Sequence, residues 1–152
     1  MTKISVRLTV LFFLFIFPAR AESLDGNNVL QIDISGPGPV YDFQVELALD
    51  NGSQAEGLMN REELPENQGM LFFFKDERFR SFWMKDTLIP LDIIFIRSDG
   101  TISSIRENAV PLDETPIGSE EPVRAVLEIN GGMVSKLGIE EGDIVLHPFF
   151  GK

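Results

Sequence analysis

Downstream of residue 28 the chain is dominated by apolar and polar residues that alternate with a period of two. In residues 29–34, Leu30, Ile32 and Ile34 alternate with Val29, Gln31 and Asp33, the pattern of a half-buried strand. Gly36-Pro37-Gly38-Pro39 interrupts it. Tyr41, Phe43, Val45, Leu47 and Leu49 then form the clearest alternating stretch in the protein. Residues 70–74 and 82–84 are short apolar runs of strand length. Residues 91–97 and 101–106 flank Asp99-Gly100, a dipeptide favoured in two-residue hairpin turns, and so predict a hairpin. Residues 124–129 and 144–147 add two further strands.

The period changes twice. After the turn Asp50-Asn51-Gly52, Ser53 and Glu56 have capping-box spacing, and Ala55, Leu58 and Met59 share a helical face. This predicts a helix that ends before Pro65. Asn130 is placed to cap a second short helix, which carries Met133, Val134 and Leu137 on one side and Gly138 at its end. Residues 111–122 hold Pro111, Pro116, Pro122, Gly118 and four carboxylates, the composition of a surface loop. No repeat or low-complexity tract occurs. About seven strands and two short helices in so short a chain predict a mainly β, α+β domain. Its strands would curl into a barrel-like or packed-sheet core.

The N-terminus follows different rules. Lys3 and Arg7 precede the apolar run 8–17, Pro18 breaks that run, and Ala19-Arg20-Ala21 places small residues at both positions a signal peptidase reads. The run falls short of the roughly 17–25 residues a spanning helix needs. We therefore expect residues 1–21 to be a signal peptide, 22–28 a frayed leader and 29–152 a single domain, periplasmic or secreted and without a stable membrane anchor after cleavage. Cleavage removes Lys3, Arg7 and Arg20, so 13 basic residues become 10 against 24 acidic ones, a net charge of about −14. Such a chain is repelled by phosphate backbones, and no nucleic acid is expected as a partner. The absence of cysteine removes disulfides and a lipid-modified signal, leaving stability to packing.

Several segments together carry a family resemblance. They are Gly57-Leu58-Met59-Asn60-Arg61, Gly69-Met70-Leu71-Phe72, and Phe82-Trp83-Met84-Lys85-Asp86-Thr87 running on to Ile89-Pro90-Leu91-Asp92-Ile93-Ile94-Phe95. Val126-Leu127-Glu128-Ile129-Asn130-Gly131-Gly132 and Gly142-Asp143-Ile144-Val145 complete the set. The chain resembles the DUF192 family from about Val29 onward. The resemblance implies a compact β-rich fold and brings no established activity, substrate or cofactor. The family usually has Asn where this chain has Asp86, a difference that would alter the charge of a site there.

Candidate chemistry comes from polar residues set where the pattern calls for apolar ones. Asp92 interrupts Leu-Asp-Ile-Ile-Phe-Ile on the face of Ile94 and Ile96, and Glu128 interrupts Ala-Val-Leu-Glu-Ile on the face of Val126. A carboxylate buried without a partner costs several kcal/mol or stays protonated, so each calls for a cation or donors, and Arg61 and Lys85 are the available cations. Two readings fit: a structural ion pair or loop clamp, or convergence of all four on one pocket. Trp83 and Lys85 would then form its wall and rim, with Met84 and Thr87 beside them, although Trp and Met in a β-rich protein are more often core and Thr87 with Asp86 more often shapes the turn. Asn130-Gly131-Gly132 could hold an anion on free backbone N–H groups or be a plain helix cap. Asp113, Glu114, Glu120 and Glu121 lack the regular spacing of a calcium loop.

With no cysteine and a single histidine, His147, zinc sites of those ligands and Cys-His nucleophile pairs are excluded. No Gly-x-Ser-x-Gly elbow or glycine-rich nucleotide loop is present. No metal or cofactor is expected. Two functions remain. One is a non-enzymatic module binding a small molecule or an envelope protein through Arg61, Trp83, Met84, Lys85, Thr87, Asp92, Glu128 and Asn130. The other is a hydrolase or lyase acting on cell-envelope material, with Asp92 or Glu128 as acid or base.

Overall fold

The computed structural model describes residues 28–33 and 38–151. The expected signal peptide and leader lie outside them, apart from Asn28. Seven strands form one sheet: β1 (Val29–Asp33), β2 (Val40–Ala48), β3 (Gln68–Arg78), β5 (Leu91–Ile96), β6 (Ile102–Ala109), β8 (Val123–Asn130) and β9 (Ile144–Leu146). Their spatial order is β6-β5-β8-β3-β2-β1-β9. Two-residue strands β4 (Ser81–Phe82) and β7 (Ile117–Gly118) make a separate ribbon. The domain is mainly β with two short helices, α1 (Asn51–Glu56) and α2 (Met133–Leu137). A 3₁₀ turn, Pro148–Phe150, follows β9, and His147 takes the N–H of Phe149 on Nδ1 at its start, packed as a core histidine.

The sheet curls into a half-barrel, and its two ends meet. Thr101, just before β6, bridges Ile144 of β9, and Val145 N–H donates to Gly100 C=O at 2.8 Å. This protects what would otherwise be exposed edge backbone. Gly100 serves both the hairpin and the closure: its φ is +87°, and a Cβ there would stand 2.6 Å from Val145 O. The β5–β6 hairpin forms, but Asp99-Gly100 is not its two-residue centre. Gly100 N–H bonds back to Arg97 C=O at 3.1 Å, and only Gly100 of the pair has a positive φ. A primed two-residue turn needs φ > 0 at its first central residue, so the chain adopts the longer turn that requires one left-handed glycine.

Each face of the sheet has its own core. On the concave side, Leu30, Ile32, Phe43, Leu71, Ile94, Leu127 and Ile129 pack with Met133 and Val134 of α2. On the other side, Met70, Phe72, Leu91, Ile93, Phe95 and Val126 are covered by Leu58, Leu64, Met84 and Ile89 from connecting segments. The strands of the sheet centre are therefore apolar on both faces, and β5 is buried at all six positions. β2 and β3 are parallel and need a long crossover, which α1 and the turns after it provide.

The crossover differs from the sequence expectation. Asp50, not Ser53, is the N-cap of α1, and its carboxyl accepts from Gly52 N–H at 2.8 Å and Ser53 N–H at 3.1 Å. The helix stops at Gly57, well before Pro65, and buries none of its own residues. Leu58, predicted on the helical face, is buried from the turn that follows. Six residues cannot carry an amphipathic face, so the apolar contacts pass to the loop. Likewise, of the run at 82–84 only Phe82 pairs as strand, together with Ser81 before it, while Met84 enters the core from a turn held by its N–H to Asp113 C=O at 2.8 Å.

Candidate functional site

Asp92 and Glu128 stand on adjacent strands and opposite faces. In the antiparallel β5–β8 pair, Asp92 is opposite Ile129 and Ile93 is opposite Glu128. Paired residues project to the same side, so Glu128 shares a row with Ile93 and, across β3, with Met70. Asp92 faces the concave core. There it accepts three backbone N–H groups: Asn108 at 2.8 Å and Gly132 at 3.0 Å on Oδ1, and Val134 at 2.8 Å on Oδ2. Asp92 is thus the cap of α2, supplied from forty residues upstream, and Gly132 at the N-cap position, with φ +85°, has no side chain to offer. Asn130, expected to be that cap, instead donates to Leu64 C=O at 2.8 Å and Pro65 C=O at 3.1 Å, tying the α1–β3 crossover to the end of β8.

Glu128 has no such support. Its side chain is 5 % exposed, and among the described residues it has neither a hydrogen-bond partner nor a paired cation. Burial alone lifts its pKa from the ordinary 4.5 to about 8. It lines a cavity of about 430 Å³, within the range of small-molecule sites. One wall is α1 and its turn, Gln54–Met59. The other is built from Phe72 and Phe74 of β3, the segment Phe79–Trp83, and Thr87. Phe72 and Phe82 meet edge to face at 5.0 Å, a rigid aromatic corner beside the carboxyl.

The remaining candidates separate. Trp83, half-exposed, and Thr87, buried, border this cavity. Thr87 Oγ1 donates to Lys85 C=O at 3.2 Å, bracing the turn. Met84 is core, 0 % exposed. Lys85 lies in solvent with Nζ 5.7 Å from the Trp83 ring centre, outside the cavity lining. Arg61 makes a two-pronged ion pair with Glu46 at the surface, including a 2.7 Å contact from Nη2 to Oε2. That pair holds the Glu46 carboxyl below its ordinary pKa. Arg61, Lys85, Asp92 and Glu128 therefore do not converge on one pocket. Asp86 has φ +52° and accepts Asn60 N–H on its carbonyl at 2.7 Å. Asn and Asp tolerate this left-handed geometry best, so the position is set by its backbone and lies outside the cavity lining.

Sequence reasoning missed Phe72, Phe74, Phe79, Phe82 and Arg80. Arg80 lies 3.8 Å over the Phe74 ring, donates from Nη2 to Asp76 O and Oδ1 at 2.7 and 2.8 Å, and keeps a buried Nε without a partner. The available signal was the density of phenylalanine from Phe72 to Phe82, in excess of what one strand face needs.

Residues 32–147 match the model of the DUF192 family, described as uncharacterized ACR, and the chain belongs to that family. Two crystal structures share the fold. One is a protein from Sinorhizobium meliloti named as a candidate transcription regulator, 44 % identical, with a TM-score of 0.77 over 80 % of this chain and 93 % of that one. The other is a protein of unknown function from Novosphingobium aromaticivorans, also 44 % identical, with a TM-score of 0.74 over 78 % of this chain and 83 % of its own. No curated protein matches the chain.

Proposed function

We propose that this protein is an exported, non-enzymatic binding module whose aromatic cavity takes a small molecule. One observation carries the reading: Glu128 is a buried carboxyl without a partner at the wall of a ligand-sized cavity. Burial disfavours the charged form of this carboxyl, and a ligand group that pairs with it offsets that cost. Phe79 and Trp83, 68 % and 50 % exposed at the cavity, are apolar surface that a ligand would cover. The name of the Sinorhizobium relative points towards nucleic acid. This chain, with 24 acidic against 13 basic residues, is poorly suited to phosphate contact. Export rests on residues 1–21, and N-terminal sequencing of the protein from the envelope fraction should begin at Glu22.

Trp83 is the sole tryptophan and reports on the site. In a screen of small organic molecules, binders should shift Trp83 emission in the wild type and lose that effect in Ala55→Phe. Ala55 is an exposed cavity-lining residue of α1, and the larger side chain fills the opening. Binding that ignores Ala55→Phe would reject the cavity as the site. Turnover of an envelope extract that Glu128→Gln abolishes, with folding intact, would replace the binding reading with the hydrolase or lyase one.

A further inference from the structure

Resting on that binding reading, we infer that the cavity selects a small organic cation, an ammonium group on an apolar or aromatic body, and seats the ammonium against Glu128. The charges that face Glu128 support this polarity. The flanking residues in its sheet row, Met70 and Ile93, are apolar. Thr87, the nearest hydroxyl of the lining, is a neutral group whose proton goes to Lys85 C=O. From the α1 side the charged lining residue is another carboxylate, Glu56. From the β4 side it is Arg80, which pairs with Asp76, a carboxylate it shares with Arg78. Farther along the same row, Glu46 on β2 is matched by Arg61. Arg80 makes no ion pair with Glu128, being turned to Asp76 and the Phe74 ring, so the carboxyl is left open to a cation from the cavity.

The walls add a second argument. A cation is attracted to the face of an aromatic ring, and the rings of this lining already hold cations: Arg80 lies 3.8 Å over Phe74, and Lys85 is 5.7 Å from Trp83. Phe72, Phe82 and Trp83 extend the same ring environment around the carboxyl. On binding, Glu128 releases its proton to solvent and the bound ammonium keeps its own, so one proton leaves per ligand at neutral pH. The chemistry is an ion pair in an aromatic-walled cleft, with no covalent step.

The test uses 2-phenylethylamine and its neutral isostere 2-phenylethanol, titrated into the wild type and Glu128→Gln with Trp83 emission and calorimetry as readouts. The amine should bind at least about tenfold more tightly than the alcohol at pH 8. Its affinity should rise about tenfold per pH unit from pH 6 towards 8 and then level off. Calorimetry in buffers of different ionisation enthalpy should count one proton released. Glu128→Gln should remove the pH dependence and the preference for the amine while leaving the alcohol within about threefold. An alcohol that binds as well as the amine across this range overturns the cation class and leaves the binding cavity standing. If neither probe binds, the cation class falls. The cavity reading is then judged separately by whether any member of the wider screen moves Trp83 in the wild type and not in Ala55→Phe.

Discussion

Asp92 and Glu128 are two carboxyls one position out of register on neighbouring strands, both buried, and they lead opposite lives. Asp92 faces the concave core, where three backbone N–H groups from α2 and β6 converge on its two oxygens. Glu128 faces the convex side, among Met70, Ile93 and aromatic rings, with no donor within reach among the described residues. The first resolves the cost of burial within the fold and so has no capacity left for a ligand. The second leaves that cost open beside a cavity. Burial of a polar group in an apolar strand is therefore not enough to mark a site; the partner count tells the two cases apart.

The comparison is broken most severely by Asp92→Ala. It strands three donors, that of Val134 buried and those of Asn108 and Gly132 partly so, and uncaps α2, so urea unfolding should show a loss of about 3–5 kcal/mol. Asp92→Asn, which keeps an acceptor but presents an N–H to one of the three donors, should lose less.

Glu128 gives the opposite sign. Its pKa is about 8 folded and 4.5 in its ordinary state, so the folded chain holds a proton that the unfolded chain has released between those values. Its contribution to stability is therefore present at low pH and declines as pH rises from about 4.5 to about 8. The slope is at most about 1.4 kcal/mol per pH unit. Glu128→Leu should flatten this part of the stability profile and raise the melting temperature at pH 8, with little gain at pH 4. If Glu128→Leu is as damaging as Asp92→Ala, the two carboxyls are both structural and the contrast fails.

Smaller effects sharpen the picture. Asn130→Ala removes two bonds to the crossover, to Leu64 and Pro65 carbonyls, and should cost about 1–2 kcal/mol. Hydrogen exchange should rise first in the turn around Leu64. Arg61→Ala should cost no more than about 1 kcal/mol in thermal unfolding, because its pair with Glu46 is largely in solvent. Ligand affinity should be unchanged in that variant, since Arg61 lies outside the cavity lining.

Much of the fold was readable along the chain. Alternation marks β1 and β2, the flank of Asp99-Gly100 marks β6, and apolar runs mark β3, β5 and β8, because each strand must bury one face or both. The short helices were harder. α1 ends at Gly57 rather than near Pro65, since local capping by Asp50 and a left-handed glycine act over a few residues and leave no periodic trace. The cap of α2 was assigned to Asn130, the nearest suitable side chain in sequence. The oxygen that performs it comes from Asp92, a contact that exists only once β5 and β8 lie together.

The candidate site divides in the same way. Period two identifies which residues share a face within one strand, so Asp92 with Ile94 and Glu128 with Val126 could be read from the chain. It carries nothing about register between strands, and a shift of one residue moves a side chain to the other face. The sequence by itself determined that this domain is β-rich, free of cysteine, strongly acidic and carries two carboxyls inside apolar strands. Tertiary structure alone decided that one of them would be enclosed by N–H donors and the other left against phenylalanine. Inter-strand register and the path of connecting loops depend on contacts between residues far apart in sequence, and no local pattern specifies them.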